Sequence, residues 1–132
     1  MLKLKSQLPE KTEELAAVLV KAIFKVHTSL GPGLLESVYE MCLAKELVRH
    51  AVRFQTQVPI SVVYDGEILD CGFRLDMLLE DPIIVEIKAV EALLPVHKAQ
   101  LLTYLRLSRL RLGFLVNFNT PLIKNGIQRL VL

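Results

Sequence analysis

Eight residues past the middle of the chain, Ile83-Ile84-Val85-Glu86-Ile87-Lys88-Ala89-Val90, are apolar at all positions but two. A strand with one solvated face alternates apolar and polar residues, whereas a run like this fits a strand covered on both faces. The chain must then supply a sheet with a layer on either side. Glu86 and Lys88 stand two residues apart, so their side chains leave the strand on the same face. An isolated buried charge costs about several kcal/mol, so these two must be paired or bound to something. A Glu–Lys pair facing water at a sheet edge and a pair facing a ligand both satisfy that demand.

Elements before and after the run supply the layers. From 10 to 30, Leu15, Val18, Leu19, Ala22, Ile23, Val26 and Leu30 recur at steps of three and four, with Glu13, Glu14, Lys21 and Lys25 between them. That is an amphipathic helix, and Gly31-Pro32-Gly33 ends it. A second helix runs through Leu34, Leu35, Val38, Tyr39, Cys42, Leu43 and Leu47. Val58, Ile60, Val62 and Tyr64 then alternate with polar residues as a strand, and Pro59 assigns it to an edge or an end. Asp65-Gly66 predicts a hairpin. The returning strand sets Leu69, Cys71, Phe73, Leu75, Met77 and Leu79 on an apolar face and Asp70, Gly72, Arg74 and Asp76 on the other. Pro95 opens a helix reaching about Ser108, Gly113–Phe118 form a strand, and Asn125-Gly126 turns into a last strand, Ile127–Leu132. The expected architecture is α/β: a mixed central sheet of about five strands flanked by helices, in one domain spanning 1–132.

Bulk properties exclude several classes. A net charge of +2 and a pI near 8.6 permit a polyanionic partner only through a local patch. Cys42 and Cys71 lie in apolar stretches without metal-ligand spacing and are expected to be buried, reduced thiols. Met1–Lys5 do not read as a secretory leader, and charges interrupt every apolar run short of the ~20 residues a membrane helix needs. A cytoplasmic protein without membrane contact is expected. A mean hydropathy of +0.42 is high for a small monomer and points to a buried interface, a homodimer or another protein.

The strand before the apolar run sharpens the reading of Glu86 and Lys88. A hairpin centred on Asp81 places Asp76 opposite Glu86, since each lies five residues away from it. Opposed residues have Cβ atoms roughly 4.5–5.5 Å apart, where two carboxylates repel unless a cation lies between them. Asp76, Glu86 and Lys88 then form one cluster suited to a hard cation such as Mg²⁺. Glu36 borders the apolar stripe of the second helix, where it either joins this cluster or merely complements the helix dipole. His97, Gln100 and Tyr104 share a sector of roughly 60° on the third helix, as a cleft lining or a plain amphipathic boundary. Lys98, Arg106 and Arg109 are candidate phosphate contacts, with helix-end complementarity as the alternative. His27 and His50 are assigned to helix surface or boundary positions.

The ordered set Asp76…Glu86-Ile87-Lys88…Gln100-x-x-x-Tyr104 resembles the PD-(D/E)XK nuclease superfamily. More narrowly, Gly33-Leu-Leu-Glu36-Ser-Val-Tyr39 is similar to the motif of its GxxExxY branch, as are Phe73-Arg74-Leu75-Asp76, Ala99–Tyr104, Gly113–Phe118 and Gly126-Ile127. The likeness covers about residue 12 to the end, with Leu75 where the superfamily name has Pro. It implies a restriction-endonuclease-like core and a Mg²⁺ or Mn²⁺ ion bound by Asp76, Glu86 and the Ile87 carbonyl. Lys88 would orient the attacking water, Glu36 would reach the metal directly or through water, and Gln100 and Tyr104 would position the substrate strand. The implied activity is a nuclease acting on DNA before RNA, alone or with a partner. The alternative is a nucleic-acid-binding or assembly module that keeps the fold without turnover.

Overall fold

A computed structural model describes residues 8–132, so the reading of Met1–Lys5 lies outside the described residues. The first helix, α1 (Glu10–Leu30), buries Ala16, Leu19, Ala22, Ile23 and Val26 along the stripe set by their spacing. Glu10 and Glu13 occupy its first turn, where they complement the helix dipole. It stops at Gly31, whose φ of 66° is accessible to glycine at little cost. The second helix, α2 (Glu36–Arg49), starts at Glu36, leaving Leu34 and Leu35 exposed in the turn before it. Tyr39 fastens that turn. Its hydroxyl donates to the Gly31 carbonyl at 2.7 Å and accepts from the Leu34 amide at 3.1 Å. Its fully buried ring stacks on Phe118 with centroids 4.5 Å apart.

Five strands follow in sheet order β1-β2-β3-β4-β5: β1 (Phe54–Tyr64), β2 (Glu67–Leu79), β3 (Ile83–Lys88), β4 (Leu112–Asn117) and β5 (Ile127–Val131). Only β3 and β4 are parallel, and α3 (Pro95–Ser108) makes the crossover such a pair requires. The sheet is therefore mixed, with helices on both faces, as in a restriction-endonuclease-like core. Ile83, Val85 and Ile87 of β3 pack with α1 and α2, and Ile84 packs with Leu101, Tyr104 and Leu105 of α3. The strand is covered on both faces, as its composition requires. Pro59 lies in β1, an edge strand of the sheet, as expected.

Three expectations change. The apolar face assigned to β2 is not one core face: Glu67–Arg74 are all exposed, and burial begins at Leu75. Leu75 packs towards α3 while Met77 and Leu79 pack towards α1 and α2, a switch that coincides with Gln57, held at φ 53° across from Asp76. Cys71 is consequently exposed on the outer part of the hairpin, and Cys42 on α2 is only half-buried; both are free thiols. His27 is buried, not a surface residue: its Nε2 lies 2.7 Å from the Thr120 carbonyl, tying α1 to the loop after β4. Asn125-Gly126 makes the expected tight turn before β5, as the end of a 3-10 turn, Ile123–Asn125. Among the described residues no helix is long and apolar enough to cross a membrane.

Candidate active site

A short turn sets the register of β2 against β3. Glu80 takes φ 47°, Asp81 and Pro82 follow, and the strands pair as Leu79↔Ile83, Leu78↔Ile84 and Met77↔Val85. One step further, Asp76 and Glu86 face each other, the geometry expected for a hairpin centred on Asp81. There the backbone ladder ends and the side chains replace it. The Ile87 amide donates to Asp76 Oδ2 at 2.7 Å, and the Asp76 amide donates to Glu86 Oε1 at 3.3 Å. Each carboxyl thus grips the backbone of the other strand.

Burial separates the two acids. Asp76 is half-buried, whereas Glu86 is only 5% exposed. Desolvation, then the charge of Asp76, pushes the Glu86 carboxyl up to about 9, and the nearby Lys88 charge offsets only part of this. Without a cation, Glu86 is therefore protonated at neutral pH. Tyr104 faces the same spot from α3. Its phenol is pushed above the usual range by burial first and then by the charges of Glu86 and Asp76.

The far end of β3 is held by residues from the end of β4, the loop after it and α2. The Phe118 amide donates to the Lys88 carbonyl at 2.9 Å. Asn117, buried at the end of β4, accepts from the Val90 amide at 3.1 Å and donates to the Val90 carbonyl at 3.0 Å. From α2, Glu36 Oε1 accepts from the Ala89 amide at 3.3 Å. The Gly33–Tyr39 turn thereby delivers Glu36 to the carboxyl end of the strand that carries Glu86 and Lys88.

The remaining candidates divide. Tyr104 joins Asp76 and Glu86. His97 is half-buried and its Nδ1 accepts from the Leu94 amide at 3.0 Å, capping α3. Gln100 and Lys98 are exposed on the first half of α3. Arg106 and Arg109 are exposed at its other end, and Arg109 lines a hollow with Pro82, beside the start of β3. Since α3 runs back against the parallel strands, these arginines stand at the opposite end of β3 from Lys88. Two residues escaped the sequence reading: Asn117 and Glu40. Burial and the charge of Asp76 hold the Glu40 carboxyl above its ordinary range, while its hydrogen bond from Gln57 acts against the shift. Its position one helical turn after Glu36 was the available signal.

A family model described as the PD-(D/E)XK nuclease superfamily matches residues 13–130. The chain belongs to that superfamily. No curated protein and no solved structure matches it. Members of this superfamily are usually hydrolytic nucleases that act on nucleic acid and typically use divalent metal ions. The donors fit such an ion: a buried carboxyl opposed to a second one is destabilised when both ionise, and a cation removes that cost. Among the described residues no three Asp, Glu, His or Cys side chains gather closely enough to hold an ion unaided. Two carboxylates completed by water and phosphate oxygens suit Mg²⁺ or Mn²⁺ chemistry, since Mg²⁺ usually retains several waters.

Proposed function

We propose that this chain, as one domain spanning 1–132, is a Mg²⁺- or Mn²⁺-dependent nuclease hydrolysing phosphodiester bonds in DNA before RNA. The observation that carries the reading is Glu86, a carboxyl buried opposite a second carboxyl, whose ionised form a bound cation would stabilise. Asp76, Glu86 and the Ile87 carbonyl would hold the cation, with Glu36 reaching it through water. When bound, the ion polarises the scissile phosphate and acidifies a water molecule. Lys88, on the same face as Glu86, orients the attacking water and offsets charge on the phosphate. Tyr104 and Gln100 position the strand, with His97 fixing the start of their helix. Lys98 meets the nearer phosphates. Arg106, roughly 12 Å further along α3, meets phosphates beyond the scissile bond, with Arg109 next to it. The turn built by Gly33, Glu36 and Tyr39 supports assignment to the GxxExxY branch. The free thiols Cys42 and Cys71 suit a cytoplasmic setting.

One observation favours dependence on a partner. The hairpin exposes Val63, Tyr64 and Ile68 at 65–75%, apolar area that a homodimer or another protein would cover. The deciding experiment is cleavage of end-labelled single- and double-stranded DNA with Mg²⁺ or Mn²⁺ by wild type, Asp76→Ala and Lys88→Ala. Cleavage abolished by EDTA and by both substitutions is expected. Cleavage surviving Asp76→Ala would discard the site. A folded wild type that takes up Mn²⁺ but never cuts would point to a partner-dependent enzyme or to the silent binding module instead.

A further inference from the structure

Glu40 sits in α2 one turn after Glu36, so the two carboxylates share a helix face. Unlike a surface glutamate left to water, Glu40 is half-buried, and it lies close enough to Asp76 for their charges to oppose each other. Something must hold it there. Gln57 Nε2 donates to both Glu40 oxygens, at 3.2 and 3.4 Å. Gln57 lies between the pairs Thr56↔Met77 and Val58↔Leu75, and so across from Asp76. Its φ of 53° is a left-handed conformation that residues other than glycine adopt uncommonly. The edge strand thus departs from regular geometry at the position facing Asp76, and the departing residue brings a carboxylate towards it.

We propose that Glu40 is a second helix carboxylate of the candidate site, positioned by Gln57 to accept a hydrogen bond from water bound to the cation at Asp76. The inference rests on the function proposed above. Glu40 acts one water away because, among the described residues, no three acids lie close enough to ligate one ion directly. A partner in that outer position tunes affinity by fixing the orientation of the ligating water, and its loss typically lowers metal affinity about 10–100-fold. Gln57 contributes indirectly, as a positioning residue for Glu40.

The test is Mn²⁺ titration of the metal-free full chain, followed by electron paramagnetic resonance of the free ion and paired with melting temperatures measured without metal. Glu40→Gln should bind Mn²⁺ about tenfold more weakly while melting no lower than wild type. Gln57→Gly keeps the left-handed backbone and removes the amide, and should lose roughly threefold, the scale of one hydrogen bond. Unchanged Mn²⁺ affinity in Glu40→Gln, where Asp76→Asn has lost it, overturns the role of Glu40 and leaves the site standing. Affinity that falls together with the metal-free melting temperature in both Glu40→Gln and Gln57→Gly marks a structural role and also overturns it. Equal binding by wild type and Asp76→Asn sinks the site and this inference together.

Discussion

The two halves of β2 obey the same alternation and have opposite fates. From Leu75 to Leu79 the strand is clamped between α3 on one face and α1 and α2 on the other, and it carries Asp76 to Glu86. From Glu67 to Arg74 it pairs only with β1, with every residue exposed. A two-stranded ribbon alone is marginally stable in water, so the outer half depends on the inner half for its shape. The inner half spends stability on a buried acid pair, which is affordable only where packing on both faces is secure. Ionisable groups held at a cost belong in the rigid region. Of the exposed apolar residues of the outer half, Phe73 still meets the Tyr104 ring of α3, whereas Val63 of β1 and Ile68 stand open to solvent.

The comparison breaks most sharply in activity. Asp76→Ala should lower DNA cleavage on the order of a thousandfold, about 4 kcal/mol of lost transition-state stabilisation, with the circular dichroism spectrum unchanged. Val63→Ser and Ile68→Ser in the outer half should leave the Mn²⁺ affinity at the wild-type value. A cleavage loss as large from the hairpin pair, measured with the isolated chain, would mean that the two halves are not separate in function.

Stability gives the next contrast. Leu79→Ala removes a fully buried side chain at the end of β2 and should cost about 2–5 kcal/mol in denaturant unfolding. Glu86→Gln acts in the other direction, and its effect depends on pH. The folded carboxyl titrates at about 9 from an ordinary 4.5, so between those values the folded state binds more protons than the unfolded one. Stability then falls as pH rises through that window. Glutamine removes the titrating group, so the metal-free variant should gain on wild type progressively from pH 5 to pH 9, read as a growing difference in melting temperature. Equal slopes for the two proteins would show that Glu86 is ionised in the native state. Mn²⁺ uptake by wild type at neutral pH should release about one proton per ion, since ligating carboxylates must be deprotonated.

What could be read beforehand follows from the range of the interactions involved. The β2–β3 register was legible because a tight turn at Asp81 leaves little freedom to slip, and so Asp76 and Glu86 met as expected. The two-sided burial of β3 was legible because its apolar run admits no solvated face. Glu40 was not, since its placement depends on a left-handed residue in a strand seventeen positions away. The same holds for His27, whose partner Thr120 is ninety-three residues distant. The outer part of β2 misled for another reason. Alternation shows that a face is apolar, but whether a helix covers it depends on where α3 ends. Arg106 and Arg109 were grouped with Lys98 by sequence proximity, yet a helix of fourteen residues separates its ends by roughly 20 Å.

The smallest expected effect is the most specific to the outer half. Val63→Ser with Ile68→Ser should change the unfolding free energy by no more than about 0.5 kcal/mol, since exposed side chains away from caps and cores contribute little. A measured loss above 2 kcal/mol would mean that these residues are buried in the working protein, so that its assembled state, and not the lone chain, is the unit that unfolds. Dependence of the wild-type melting temperature on protein concentration distinguishes the cases, because association that stabilises the native state raises it with concentration. If the double variant alone loses that dependence, the apolar ribbon is the contact. If wild type and variant both melt independently of concentration, the outer half stands free in the isolated chain, and self-association through the ribbon is excluded.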